Sequence, residues 1–486
     1  MKLFIKRSAP VLGLLGLGLA GCQPDIEAPA ASAGSANFSS YIAVGNSLTA
    51  GYSDGGLYRE GQLSSYPSIL ASQFAQVGGG SFVQPLFTEA QSNGSGYLRL
   101  TGFTAAGSPI TAPVTTSLAV RGGTAAAPLY TQFLDPVNNL GVPGIRMSDI
   151  NTAGYGSTQG NPYFERITPA ASAGQTYLQR VQATVASLKP TFFTEWLGNN
   201  DVLGYATAGG AASSITPATT FTANTKLVLD ALIAGGAKGV VATIPDVTGI
   251  PFFTTVGPSF RATLALSNVP SAAPFIYTTG TLAPSATPGA NARVVGKLSD
   301  IRDASGTGAL LLTLTSSPYV SLYGRPGGKY WRDFYRQATG AAPTGPVFSG
   351  FLLGIGVTDT TQAFGQSAAN PFPSTLVLDV AEQKATVDAT NAFNTTLTTE
   401  ASTRGLAVFD ANVFFKSVAI SGYATNAANN TAGYLSGNLF SLDGVHPTPR
   451  GYAVIANEML RVINVKYGSS FSGVNANNYR GVVFPQ

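Results

Sequence analysis

One cysteine and one histidine stand in a chain of 486 residues, of which only 10% are charged. The lone cysteine, Cys22, excludes an internal disulfide and any cysteine-based zinc site. The lone histidine, His446, excludes the histidine clusters that hold catalytic zinc, so a metal centre would have to be rich in carboxylates, and the sequence shows no such cluster. Lys and Arg number 27 against 23 Asp and Glu, without a basic stripe, so the electrostatic footprint of nucleic-acid binding is missing. Gly, Ala, Ser and Thr are abundant instead, and the length overstates the core that the chain can bury.

The first residues carry Lys2, Lys6 and Arg7, and an apolar run follows over 11–20. That run is too short for a membrane span of about 20 apolar residues and has the pattern of a secretory signal. Leu19-Ala20-Gly21-Cys22 resembles the bacterial lipobox. The resemblance implies cleavage before Cys22, diacylglycerol on its sulfur, and an exported lipoprotein of the outer membrane, facing the periplasm or the outside. Loss of residues 1–21 removes three of the 27 basic residues, leaving 24 against 23 acids and a formal charge of +1 in place of +4. Residues 22–36 are mostly Pro, Ala, Ser and Gly with two acids, which predicts a flexible tether.

A single domain over 37–486 follows, with an α/β rhythm. Apolar strands are predicted at 40–44, 82–87, 191–197, 238–244 and 406–409. Helical spacing is carried by Ile69, Leu70 and Phe74, by Leu178, Val181 and Val185, by Phe221, Val228 and Leu232, over 380–404, and by Tyr452, Ile455, Met459 and Ile463. Strands alternating with helices predict a mostly parallel sheet covered on both faces. Two stretches break the rhythm and read as β-rich insertions: 91–135, an inserted hairpin, and 250–372, strands and loops with β-like runs at 309–314 and 348–355. Tyr319, Tyr323, Tyr330, Trp331, Phe334 and Tyr335 in the second predict a small core of its own, or the underside of a lid.

Asp443-Gly444-Val445-His446 carries the chemistry, because His446 is the one side chain suited to shuttle protons near neutral pH. An acid three residues back across a glycine can accept the imidazole Nδ1–H, which fixes the tautomer and leaves Nε2 as a base. Three further loops stand out, 45–49 with Ser47, 139–144 with Gly144 and 198–201 with Asn200, the first and third directly after predicted strands. In a parallel sheet those strand ends share one edge, where sites form. Ser47 can be a nucleophile, Gly144 can bring a bare backbone N–H to an oxyanion, and Asn200 can add an amide donor.

Together the loops Gly45-Asn46-Ser47-Leu48, 139–144, Gly198-Asn199-Asn200-Asp201 and Asp443-Gly444-Val445-His446 resemble, in order and spacing, the four blocks of the SGNH, or GDSL, hydrolases. The resemblance implies a three-layer α/β/α fold like flavodoxin and hydrolysis of acyl esters by Ser47, His446 and Asp443. Its oxyanion hole would be the Ser47 and Gly144 backbone N–H groups and the Asn200 side chain, with no metal or cofactor. Asn46 stands where the family has Asp. An ordinary α/β-hydrolase elbow would need Gly where Thr49 stands. Substrates consistent with this reading are lipid esters, short-chain esters and acetylated glycans of the surface or diet. A non-catalytic surface protein that binds through the insertion is the reading from another class.

Overall fold

The computed structural model describes residues 30–104, 107–282, 293–425 and 427–485. The expected signal, the expected lipidation position Cys22 and the first part of the expected tether lie outside the described residues.

Five strands form one all-parallel sheet: β1 (Tyr41–Gly45), β2 (Asn139–Gly141), β3 (Phe192–Trp196), β4 (Lys238–Ala242) and β5 (Ala407–Phe409). Their order is β5-β4-β3-β1-β2. All five residues of β1 and of β3 are buried, as in a parallel sheet covered on both faces, and in β3 that burial takes in Thr194 and Glu195. The register sets Gly45 beside both Gly141 and Trp196, which brings three strand ends to one edge.

The helices that matter for the site are α1 (Ser47–Ala50), α2 (Tyr66–Phe74), α3 (Tyr177–Leu188), α4 (Asn200–Thr207), α5 (Ala218–Ile233), α6 (Val380–Thr403) and α7 (Pro449–Tyr467). α3 and α6 pack on α5, and α7 packs on α2. Among the described residues no helix is long and apolar enough to cross a membrane.

The edge beside β1 differs from the sequence expectation. Residues 82–87 form no strand, and β2 occupies the position next to β1. Pro85 has no N–H to give a ladder. Val83 pairs with Asn138 through that residue's side chain and backbone, while the Pro85 carbonyl accepts the Gln62 and Arg166 side chains.

Residues 30–36, expected to be the last part of the tether, are held against the rest of the chain. Ser35 N donates to Tyr467 O at 2.8 Å and Ser470 N to Ser32 O at 3.0 Å, so 30–36 lies along the chain beyond α7. Composition hid this because these bonds use backbone atoms, which any sequence can supply.

The first insertion holds two hairpins where one was expected, Leu98–Phe103 with Pro109–Pro113 and Val120–Gly123 with Pro128–Tyr130. The second is more helical than its sequence reads. The β-like run at 348–355 lies largely in a helix, Gly345–Gly354, and helices also span Val256–Leu266 and Lys329–Thr339. Tyr323, Tyr330 and Trp331 are buried in a separate hydrophobic core, with Tyr319 and Phe334 partly buried against it. Trp331 Nε1 donates to Asn370 Oδ1 at 2.9 Å inside this core.

Candidate active site

Ser47 opens α1, a single turn held from several sides. Asn46 caps it by accepting the Leu48 N–H at 3.0 Å, and Asn139 Nδ2 donates to the Thr49 carbonyl at 2.9 Å. The turn fits because its neighbours are glycines: a Cβ on Gly45 would stand 2.0 Å from Thr49 Oγ1, and one on Gly141 would stand 2.4 Å from Ala50 N. Asn46 Oδ1 makes the cap that Asp would make, while Asn46 Nδ2 is buried with no hydrogen-bond partner among the described residues.

His446 arrives from the opposite end of the chain, on the loop before α7, whose N-cap is Thr448. His446 Nε2 lies 2.9 Å from Ser47 Oγ, and Nδ1 lies 2.8 Å from Asp443 Oδ2. Asp443 also accepts the backbone N–H groups of Val445 at 2.9 Å, His446 at 2.8 Å and Gly55 at 2.9 Å. Burial raises the Asp443 carboxyl, but His446 and these backbone donors outweigh it and hold the group below the ordinary carboxylate range. An anion at Asp443 with Nδ1–H donating to it leaves Nε2 as the lone-pair nitrogen facing Ser47. Phe252 N donates to the Gly444 carbonyl at 2.9 Å, so the start of the second insertion braces the turn between acid and base.

Asn200 is at the start of α4. Its Nδ2 donates to the Ile145 carbonyl at 2.9 Å, and Asp201 accepts the Met147 and Ser148 N–H groups at 2.7 and 3.2 Å. These bonds fasten the loop after β2 to α4. Burial pushes Asp201 up to about 6.

Gly144, on that loop, is exposed and has φ of 83°, a left-handed value that suits glycine. Ser47, His446 and Asn200 line one cavity, which Gly144 does not line. Among the expected site residues, Ser47, His446 and Asp443 are joined by hydrogen bonds. Asn200 shares their cavity, and Gly144 stands one residue from the carbonyl that Asn200 holds.

The buttress behind the acid was not found from sequence. Asp54, with φ of 52°, gives its N–H to Ser441 Oγ at 2.8 Å and accepts the Leu442 N–H at 3.1 Å. Tyr58 donates to Asp54 at 2.8 Å, and Arg480 reaches Tyr58, Glu60 and Asp54 from beyond α7. Tyr52 lays its ring against His446 with centroids 4.6 Å apart. A non-glycine at left-handed φ is the kind of signal that only backbone geometry reveals.

Glu195 is a further buried acid, on β3. Its Oε1 accepts the Leu197 N–H at 2.9 Å, its Oε2 has no partner among the described residues, and burial pushes it up to about 8. Folded protein then holds a proton that the unfolded chain releases near the ordinary carboxylate range, so stability falls as pH rises from about 4.5 to about 8. Glu195→Gln keeps the acceptor for Leu197 and removes the titration. Its stability advantage over the parent should grow across that window to a few kcal/mol at most. Equal pH slopes in denaturant titrations of the two proteins would contradict this.

No group of three or more His, Cys, Asp or Glu among the described residues could hold a metal ion. Comparison with family models, curated proteins and solved structures gave no match in any of the three.

Proposed function

We propose that this chain is a serine ester hydrolase of the SGNH, or GDSL, type that cleaves acyl esters through an acyl-enzyme on Ser47. The observation that carries the reading is the hydrogen-bonded line from Ser47 Oγ through His446 to Asp443, with a first step of 2.9 Å between residues 399 positions apart in the chain and a second of 2.8 Å between residues three apart. Sheet order supports it too. Numbered along the chain, the strands run 2-1-3-4-5, the order of flavodoxin-like doubly wound sheets, whose sites lie at the carboxyl edge. The finer fold proposed is therefore a three-layer α/β/α sandwich with two insertions.

In this mechanism His446 Nε2 takes the Ser47 proton as Oγ attacks the ester carbonyl, and Asp443 stabilises the imidazolium. Negative charge on the carbonyl oxygen is met by the Ser47 and Gly144 backbone N–H groups and by Asn200 Nδ2. Collapse expels the alcohol, which leaves with the proton from His446, and water repeats the sequence to free the acid. Anchoring through a lipidated Cys22 would hold the domain at an outer membrane near ester substrates such as lipids, short-chain esters or acetylated glycans.

A fluorophosphonate should label Ser47 and no other serine, since only an activated hydroxyl displaces fluoride. The labelling rate should rise with pH, because a general base must be unprotonated to take the serine proton. Absence of labelling at Ser47, or a rate flat from mildly acid to alkaline pH, would remove the reading.

A further inference from the structure

The cavity beside Ser47 is uniform in chemistry. Apart from Ser47, Asn199, Asn200 and His446, every residue lining it is apolar. Trp196 is no exception, because its Nε1 is spent on the Thr243 carbonyl at 3.1 Å. Leu203, Val247, Ile250 and Val445 form much of the wall, and Phe415 leans on Phe440 with ring centroids 5.9 Å apart. These residues come from four segments: α4, the turn after β4, the helix Ala411–Ser421 after β5, and the loop of His446.

The space is small, about 50 Å³. A single water occupies about 10–15 Å³, so a space of this order suits a few small groups. We infer that this cavity is an acyl pocket for short, unbranched chains of about two to four carbons, so that the substrates are short-chain acyl esters and not esters of long fatty acids. The inference rests on the serine-hydrolase reading and narrows it.

Its logic is one of complementary ends. The reacting carbonyl must lie between Ser47 Oγ and Asn200, and both open onto the cavity, so the alkyl tail can run on into the apolar wall. A polar alcohol would strand its hydroxyls there without partners, which assigns the cavity to the acyl side. A longer chain must displace well-packed walls: Val247 and Ile250 are buried in the main core, and Phe440 is 5% exposed.

The test measures kcat/KM on p-nitrophenyl acetate, butyrate, hexanoate and octanoate. Rates should be highest at acetate or butyrate and fall tenfold or more by octanoate. Phe415→Ala should move the optimum to longer chains, and Val247→Phe should confine it to acetate. With the acyl group fixed as butyryl, ethyl and butyl alcohols should differ only a few-fold. A preference for octanoate, or selectivity that follows the alcohol and not the acid, overturns the pocket even if Ser47 is labelled. A binding arm separates this failure from failure of the hydrolase itself. In Ser47→Ala, millimolar butyramide should raise the thermal midpoint more than octanamide does, and Val247→Phe should abolish the rise. A butyramide shift beside an inert Ser47 would leave the pocket standing and remove the hydrolysis, and no butyramide shift would remove the pocket.

Discussion

Ser47→Ala and His446→Ala are each expected to lower kcat on a soluble ester by about 10⁴- to 10⁶-fold, and the double variant to be little worse than either. The reason is that the hydroxyl and the imidazole perform one step: without the base the serine keeps its proton, and without the serine the base has nothing to deprotonate. Folding should survive both changes. The Ser47 carbonyl, not its hydroxyl, accepts the Gly51 and Tyr52 N–H groups at 3.1 and 3.0 Å, so α1 keeps its backbone bonds in the alanine variant. His446 likewise holds the loop through its carbonyl, which accepts the Ser441 N–H at 2.8 Å. Steady-state rates with circular dichroism on the three variants would check this. Losses that multiply, or a single variant within tenfold of the parent, would mean that these two residues do not form a catalytic pair.

Asn200→Ala should cost about 10²- to 10³-fold in kcat with little change in KM, because a donor to the oxyanion strengthens only as charge develops. The structure adds a second duty. One Nδ2 hydrogen is committed to the Ile145 carbonyl, which leaves the other for substrate, so the same amide fixes the Gly144 loop and faces the reacting centre. Asn200→Asp should be at least as damaging as Ala. An ionised carboxylate there would repel both the Ile145 carbonyl and the oxyanion, where alanine only leaves them unserved. Two readouts divide the duties: loss of the Ile145 bond lowers the thermal midpoint, whereas loss of the oxyanion donor lowers kcat in protein that is still folded. An Asn200→Ala variant with normal kcat and a lowered midpoint would make Asn200 a loop fastener alone, leaving the oxyanion to backbone N–H groups.

Much of the frame was legible because parallel strands are buried on both faces and stand out as apolar runs. Phe192–Trp196, Lys238–Ala242 and Ala407–Phe409 fall within the runs predicted for them, and Tyr41–Gly45 is shifted by one residue from its predicted run. Residues 82–87 misled because they are as apolar as a strand while Pro85 interrupts the ladder and side-chain bonds take its place. The helix Gly345–Gly354 misled for a related reason. None of its residues is fully buried, so Phe348, Phe351 and Leu352 had no buried stripe to impose a helical period.

Within the candidate site, the sequence by itself determined the residue types. With one histidine in the chain only His446 could be the base, and an acid three positions before it could reach its ring whatever the rest of the fold did, since that contact is local. Tertiary structure decided everything that depends on distant segments meeting. It set Ser47 2.9 Å from a histidine 399 residues away, committed one Asn200 hydrogen to Ile145, and put Arg480 and Asp54 behind the acid. It also lined a small, largely apolar cavity with side chains from segments spread from Ser47 to Ile455. Spacing along the chain carries no trace of such contacts, because they are chosen by strand order and packing rather than by the identity of neighbouring residues.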